Sequence, residues 1–347
     1  METLREELDR ILSAIVISSP ASFSFAGLPM PVVQQPAAGG WPVVNPLQHP
    51  LVAALQSCFY QYCFCARFTG TVAQPLAPAA AGDDMSYELS AANAGQPRWE
   101  TGWQIYKVEP SGQIFAQRGG VNRAFSPGQY VIQDGVGAGP RVGSNATVFF
   151  PKESLTIQPG FYFAFGEAET EFPADFNLIR FYWNIESGGA AGLMRLSTQK
   201  LNRFRVPFRM KSLTARSQYT RLDPAIIYLN KRYYHIAAEL LSGVRHEMEG
   251  RLGDGTPLFT LCLAPGLALA EDPGNGESFG MNRCRLLAEA VWTAYLQGDQ
   301  SLSARLDEVE KQFSANGLDL DRPYLNARSI DLYNDQGNPA LFEAVRA

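Results

Sequence analysis

This sequence of 347 residues has few histidines, no long apolar run and no excess of basic charge. The three histidines, His49, His235 and His246, are scattered. A lone histidine is usually a packing or surface residue, so no histidine-based catalytic group is predicted. No apolar run reaches the about 18 residues that a membrane-spanning helix needs, and no membrane partner is predicted. The net charge of −5 argues against a general nucleic-acid binder.

The number of cysteines is odd, since the chain has five, so they cannot all form disulfides within the chain. Cys58, Cys63 and Cys65 lie close together among aromatic residues, without a second ligand pair at metal-site spacing. This arrangement favours reduced packing thiols over disulfides or a metal site, and therefore a cytoplasmic protein. The acidic, amphipathic segment Met1–Glu7 is unlike a signal peptide.

The hydrophobic fraction of 46% is ample for a large core. Apolar spacing predicts helices over residues 2–18 and 49–68. Segments rich in Pro, Gly and Ala follow each helix, at 19–48 and 69–84, and read as irregular connections. These features predict an N-terminal helical segment over residues 1–84 and a second region over 85–347.

From Trp103 onward the pattern is typical of strands separated by Gly and Pro. The predicted strands are Gln104–Val108, Gln113–Gln117, Tyr130–Asp134, Thr147–Pro151, Phe161–Gly166, Leu178–Ile185, Phe204–Ser212 and Ala225–Asn230. Helical patterns cover 189–202, 231–251, 281–297 and 301–315. Strands first and helices later predict an α+β fold, with a mixed, largely antiparallel sheet and helices packed on it.

Basic residues concentrate between Lys200 and Arg232, where nine cations face one acid. In the predicted strand Phe204–Ser212 the cations alternate with apolar residues, so Arg205, Arg209 and Lys211 would share one face. Like charges side by side on a sheet are unfavourable, which predicts an anion for them to hold. The alternative, a solvated strand face, is about equally well supported.

The predicted strand Leu178–Ile185 alternates in the same way, with Arg180, Tyr182 and Asn184 on one face. A strand–helix–strand unit of this length makes neighbouring or near-neighbouring strands, so its two polar faces would point the same way. Arginines crowded around Lys211 would disfavour its charged form, as a general base requires. The alternative is that the arginines form structural ion pairs with acids such as Asp223.

Two further places carry charge. Arg221 and Asp223 precede the strand Ala225–Asn230. They would either lie at the start of that strand, next to the site, or form a local salt bridge of small energy. The Gly-rich loop at 271–280 matches no phosphate-loop pattern. We expect an acid of this loop, Glu271 or Asp272, to position Arg283, a cation in an unfavourable place near a helix N-terminus.

Several motifs resemble the HopA family, which is named for a plant-pathogen type III effector. They are Ala92-Asn93 through Trp99–Trp103, Leu178–Ile185, Leu201-Asn202 with Pro207–Lys211, Leu263–Pro273, and Ser278-Phe279-Gly280 with Arg283-Cys284. The resemblance spans roughly residues 85–325, and its last two motifs are the most specific. The first 85 residues contain none of these motifs.

The resemblance implies a function. The family is associated with class V lanthipeptide pathways, where its members are similar in proposed role to phosphothreonine lyases of the OspF/SpvC type. A separate kinase phosphorylates Ser or Thr of a precursor peptide. The lyase then eliminates phosphate to leave dehydroalanine or dehydrobutyrine, without a cofactor or metal.

The layout of such lyases is a cation-x-His pair, a Lys-x-Lys pair and a later Arg, which Arg180-x-Tyr182, Arg209-x-Lys211 and Arg221 resemble. Tyr182 stands in place of the general-acid His, and Arg209 replaces a Lys. The implied roles are Lys211 as base, Arg209 to polarise the substrate carbonyl, Tyr182 as general acid, Arg180, Arg221 and Arg283 as phosphate ligands, and Asn184, Asp223 and Asp272 as supporting residues. The alternative is a non-catalytic, effector-like module that binds a phosphopeptide or another partner.

Overall fold

The computed structural model describes residues 3–32, 49–72, 82–133, 139–168 and 177–333. The helices in these ranges are α1 (Leu4–Ser13), α2 (Pro50–Phe59), α3 (Ser86–Ala92), α4 (Ser187–Arg203), α5 (Tyr234–Glu247), α6 (Phe279–Leu296) and α7 (Leu302–Ala315). The strands are β1 (Ile15–Ser19), β2 (Ser22–Phe25), β3 (Leu28–Met30), β4 (Arg98–Val108), β5 (Ile114–Arg118), β6 (Val121–Phe125), β7 (Tyr130–Ile132), β8 (Asn145–Phe150), β9 (Glu153–Ser154), β10 (Phe161–Phe165), β11 (Leu178–Trp183), β12 (Arg209–Leu213), β13 (Ala225–Asn230), β14 (Leu261–Ala264) and β15 (Leu267–Glu271).

A seven-stranded sheet with the order β14-β15-β11-β13-β12-β10-β9 forms the centre of the molecule. Every neighbouring pair in it is antiparallel. Strands β11 and β12 therefore run parallel on either side of β13, connected by α4. The predicted α+β class, with a largely antiparallel sheet and helices packed on it, is confirmed.

The two faces of this sheet have different surroundings. On one face Phe181 of β11 stacks on Tyr234 of α5, with 6.3 Å between the ring centroids. On the other face Tyr182 packs against Phe64, which follows α2, and Phe279 of α6. We call the β11 and β15 part of this second face the covered half. Its β12 and β10 part, where the side chain of Arg209 is exposed, is the exposed half.

The N-terminal elements belong to the same hydrophobic core as the central sheet, through residues such as Leu8, Leu55 and Phe64. The predicted helix over 2–18 was too long, because the β-branched run from Ile15 pairs with β2 as a strand. The hairpin β2–β3 lies within a segment predicted to be irregular. The remainder of that segment, at 33–48, is outside the described residues.

A five-stranded sheet with the order β6-β5-β4-β8-β7 has a smaller core of its own. Trp103 and Phe125 meet at the centre of this core, where their ring centroids lie 5.2 Å apart. The predicted strand Tyr130–Asp134 appears here as β7, and Asp134 itself is outside the described residues. Within the described ranges no helix is long and apolar enough to cross a membrane.

Candidate functional site

Three neighbouring strands bring cations of the central sheet into one row. Tyr228 of β13 is opposite Arg180 of β11 on one side and Arg209 of β12 on the other. Residues opposite each other in an antiparallel pair point to the same face. Arg180, Tyr228 and Arg209 therefore share a face, and Lys211, two residues after Arg209, joins them.

The ring of Tyr228 separates the cations of this row. The guanidinium carbons of Arg180 and Arg209 lie 5.2 and 4.9 Å from its centroid, and the Lys211 ammonium nitrogen lies 6.0 Å away. An aromatic face attracts cations, by about 0.5–2 kcal/mol each depending on desolvation. We call these four residues the Tyr228 cluster. The sequence showed Tyr228 only as a member of an apolar strand, although it is the one aromatic residue among aliphatic neighbours at 225–229.

Lys211 and Arg209 lie in the exposed half, over aromatic rings of β10. The Lys211 nitrogen is 4.3 Å from the Phe161 centroid and donates a hydrogen bond to Gln158 Oε1 at 3.1 Å. The Arg209 guanidinium carbon is 6.0 Å from the Phe163 centroid. Neither cation has a carboxylate within ion-pair distance among the described residues. These two cations are therefore available to an external anion.

Arg180 lies in the covered half, is 7% exposed and pairs with Asp272. Its Nε donates to Asp272 Oδ2 at 2.8 Å, and its Nη2 donates to the same oxygen. Burial lowers the pKa of Arg180, but attraction to Tyr182, Tyr228 and Asp272 outweighs burial, so the pKa is raised overall. Among the described residues, none accepts a hydrogen bond from its Nη1.

Arg221 forms a second ion pair at the edge of the covered half. It contacts both oxygens of Asp223, at 2.8 and 2.9 Å, and donates to the Tyr60 hydroxyl at 3.3 Å. Tyr60 begins a single π-helical turn, Tyr60–Phe64, that continues α2. Such turns occur often at functional sites. The same turn supplies Phe64 to the cover over Tyr182.

The geometry argues against Tyr182 as the general acid. Its side chain is 1% exposed, and its buried hydroxyl has no hydrogen-bond partner among the described residues. Burial raises the pKa of this hydroxyl, Arg180 lowers it, and Tyr228 and Asp223 raise it further. A group that is out of reach and reluctant to ionise is better suited to packing than to proton transfer.

Arg283, for which the resemblance implied a role as phosphate ligand, has its guanidinium bound within the protein. It is 2% exposed and donates to the carbonyl oxygens of Pro323 and Leu325, both at 2.8 Å, and to Asn282. No hydrogen bond or ion pair among the described residues joins it to Glu271 or Asp272. Burial lowers the pKa of Arg283, and the Glu271 charge offsets part of that lowering. Arg283 instead holds the chain after α7 against α6.

Glu271 has a comparable tethering role. Its carboxylate accepts hydrogen bonds from Lys231, Ser329 and Tyr333, at 2.6, 2.6 and 2.8 Å. Its second oxygen accepts the Asn326 backbone N–H at 2.8 Å. The chain after α7 is thus fixed to the central sheet from two sides.

Asn184 and Arg205 also leave the predicted face. Strand β11 ends at Trp183, and Asn184 donates to the Gly255 carbonyl oxygen at 3.0 Å. The strand predicted from Phe204 begins only at Arg209. Pro207 lacks an N–H, and Arg205 has a left-handed backbone with a φ of 56°. Arg205 therefore does not lie beside Arg209 and Lys211.

The Tyr228 cluster therefore has an exposed Arg209 and a half-buried Lys211 over aromatic rings, beside Arg180, which is held by Asp272. Arg221, held by Asp223, lies before the start of β13. Arginine suits phosphate and carboxylate groups because its N–H donors form a fork. In the described ranges, no three His, Cys, Asp or Glu side chains are placed to hold a metal ion. The arrangement is suited to an anion carried on a peptide or other chain that contacts the aromatic rings.

The comparison with solved structures matches two bacterial effector proteins. The effector protein from Pseudomonas syringae pv. tomato strain DC3000 is 17% identical, with a TM-score of 0.46 over 81% of this chain and 92% of that chain. The effector protein from Pseudomonas syringae pv. syringae strain 61 is 19% identical, with a TM-score of 0.35 over 48% and 63%. No curated protein sequence matches the chain.

The profile of the HopA1 effector protein family matches residues 152–325. This range is narrower than the 85–325 expected from the motifs, and it excludes the five-stranded sheet. It contains the whole Tyr228 cluster, the Arg180–Asp272 and Arg221–Asp223 ion pairs, and strands β9 to β15. Because the match spans half of the 347 residues, the chain belongs to the HopA1 effector protein family.

Proposed function

We propose that this protein is a phosphoserine or phosphothreonine lyase that acts on a peptide. The observation that carries the proposal is the Tyr228 cluster, in which Lys211 and Arg209 are accessible while Arg180 is held close behind them. The substrate class is taken from the family resemblance to enzymes of class V lanthipeptide pathways. A separate kinase would supply the phosphorylated precursor peptide.

In the proposed reaction Lys211 takes the proton from Cα of the phosphorylated residue. The electron pair left on Cα forms the Cα–Cβ double bond, and the Cβ–O bond breaks as phosphate leaves with its electron pair. Arg209 lies two residues from Lys211 on the same face and would polarise the substrate carbonyl, which stabilises the carbanion. The products are inorganic phosphate and a dehydroalanine or dehydrobutyrine residue.

The ion pairs of Arg180 and Arg221 support a role in holding phosphate. Asp272 and Asp223 each bind the Nε and Nη2 edge of an arginine. The Nη1 side of Arg180 and of Arg221 has no acceptor among the described residues, so it remains available to phosphate oxygens. Fixed guanidinium groups cost little reorganisation when negative charge develops on the leaving group.

The proposed setting is the cytoplasm, where a kinase and its precursor peptide would meet this protein. All five cysteines, each within the described ranges, are free thiols. Burial raises the pKa of Cys58 to about 12, so this thiol stays protonated and weakly reactive. Unpaired thiols are the usual state in a reducing compartment.

Incubation with a phosphothreonine peptide tests the proposal. We expect release of inorganic phosphate and a peptide that has lost the mass of phosphoric acid, with a new electrophilic double bond that a thiol can trap. Simple dephosphorylation would instead restore threonine, and that product would contradict the lyase assignment. Binding without phosphate release would favour the alternative, a phosphopeptide-binding module without chemistry.

A further inference from the structure

A second group of charged side chains lies apart from the Tyr228 cluster, beyond the end of the β10–β12 pair. A cavity of about 410 Å³ is lined by Gln96, Arg98, Glu100, Arg118, Glu167 and Arg205. Strands β4 and β5 supply the lining from the five-stranded sheet. The segments after β10 and α4 supply it from the body around the central sheet, so the cavity lies where the two parts meet.

Most of this lining is fixed by contacts within the protein. Glu100 accepts from Arg98 at 2.6 Å and is 2.9 Å from the Arg118 guanidinium. Arg98 also lies over the Phe150 ring, 4.8 Å from its centroid. Glu167 accepts the backbone N–H of Gln96 at 3.1 Å. The walls of the cavity are therefore held in place without a bound partner.

Arg205 is the exception, because none of the described residues pairs with its side chain. Its backbone closes the C-terminus of α4 in a Schellman motif. The N–H of Arg205 binds the Asn202 carbonyl at 3.0 Å, and the N–H of Val206 binds the Leu201 carbonyl at 3.0 Å. The position has a φ of 56° and favours glycine. An arginine where glycine would be more stable is a candidate for function.

We propose that this cavity binds the carboxylate side chain of an aspartate or glutamate in the peptide substrate, with Arg205 as its counter-charge. Three arginines against two glutamates leave one positive charge in the lining. One carboxylate balances that charge, whereas a phosphate dianion would leave a net negative charge beside Glu100 and Glu167. The cavity therefore selects an acidic residue near the phosphorylated one.

The spacing follows from the chain. Arg205 precedes Arg209 by four residues, a stretch that spans at most about 14 Å. An extended peptide covers that distance in about four residues. The selected acid would therefore lie within about five residues of the phosphorylated residue. This inference rests on the proposed function for the identity of the peptide, but not for the binding of its carboxylate.

The test compares two labelled phosphothreonine peptides that differ by glutamate or glutamine, with the substitution placed in turn at each position within about five residues. Fluorescence anisotropy measures binding, and phosphate release measures turnover. We expect wild-type protein to bind the best glutamate peptide about 5-fold more tightly than its glutamine partner. In Arg205→Gln this preference disappears, while Arg203→Gln, an exposed arginine two residues earlier, retains it.

The outcomes separate this inference from the proposed function. A glutamate preference without phosphate release would contradict the lyase assignment but support the carboxylate site. Phosphate release with equal binding of the two peptides at every position, or an undiminished preference in Arg205→Gln, would overturn the site. Failure of every peptide to bind would overturn both.

Arg205→Gly provides a second test, because loss of a purely structural arginine would lower the melting temperature. Glycine removes the left-handed strain, so we expect a melting temperature equal to wild type or about 2 °C higher. The same variant should lose the glutamate preference. A drop in melting temperature would show that the Arg205 side chain supports the fold, which would contradict its assignment to ligand binding.

Discussion

The two halves of one sheet face present the same type of side chain in opposite surroundings. In the covered half Arg180 is 7% exposed and is paired with Asp272. In the exposed half Arg209 is exposed, lies over the rings of Phe163 and Tyr228, and has no carboxylate partner among the described residues. The comparison teaches that alternation along a strand fixes which face an arginine takes, whereas the helices packed on that face decide whether the arginine is buried with a carboxylate partner or left exposed.

Breaking the buried pair should give the largest effect. Asp272→Asn leaves the Arg180 charge buried without its counter-ion, and we expect the free energy of unfolding to fall by about 3 kcal/mol. Arg209→Gln, the matched change in the exposed half, should cost less than about 1 kcal/mol. Urea denaturation measures both. Equal losses in the two variants would erase the distinction between the halves.

Lys211→Arg tests the exposed half through the rate of phosphate elimination. The variant keeps the charge, but guanidinium does not deprotonate in proteins, so elimination should fall about 100-fold while phosphopeptide binding persists. Lys107→Arg is the matched control, because Lys107 also lies over a phenylalanine ring of a strand, 4.9 Å from the Phe115 centroid. It should leave turnover unchanged. A Lys211→Arg variant with wild-type turnover would remove Lys211 as the base.

Replacing Tyr228 tests whether its ring links the two halves. Tyr228→Leu removes the cation contacts of both arginines, and we expect the protein to lose about 1–2 kcal/mol of unfolding free energy. Tyr228→Phe keeps the ring and should stay within about 0.5 kcal/mol of wild type. Thermal unfolding of the two variants gives the measurement. If the Phe variant is as unstable as the Leu variant, the hydroxyl and not the ring makes the contribution.

The smallest effect concerns the loop that starts α6 over the covered half. Burial raises the pKa of Glu277, but hydrogen bonds from Arg285 and Asn282 outweigh it and lower the pKa overall. The folded carboxylate thus stabilises the protein above its unfolded pKa of about 4.3 and loses that contribution as pH falls through the folded pKa. Glu277→Gln should cost less than about 1 kcal/mol at pH 7, after solvent screening, and almost nothing in strong acid. A difference independent of pH would contradict this origin.

Much of the central sheet could be predicted from the sequence. The alternation in 178–183 and the Ile-rich run of β13 gave correct strands, and α4 to α7 followed from apolar spacing. The hairpin β14–β15 was missed because its strands are short and apolar, a pattern that strands share with buried helices. The Pro265-Gly266 turn between them, with Gly266 at a φ of 73°, was its available signal.

The site was less predictable, because its composition depends on pairings that a single strand does not reveal. Arg180 and Lys211 lie on one face as alternation predicted. Tyr228 belongs to the cluster because β13 lies between β11 and β12. The strand–helix–strand unit alone does not predict which strand takes that place. Arg205 is not part of the cluster because its backbone closes the C-terminus of α4 and does not extend β12. Carbonyl partners 40 and 42 residues away drew Arg283 to the chain after α7.

The order of the central sheet has a consequence for how the chain acquires its structure. Strand β11 has β13 and β15 as its neighbours, and Arg180 finds Asp272 only 92 residues further along the chain. During synthesis β11 therefore leaves the ribosome long before either neighbour exists. Contacts of such high sequence separation slow folding and lengthen the time during which apolar strands are exposed. We expect this protein to depend on chaperones during synthesis, and a nascent chain stopped before β15 to be the species that aggregates.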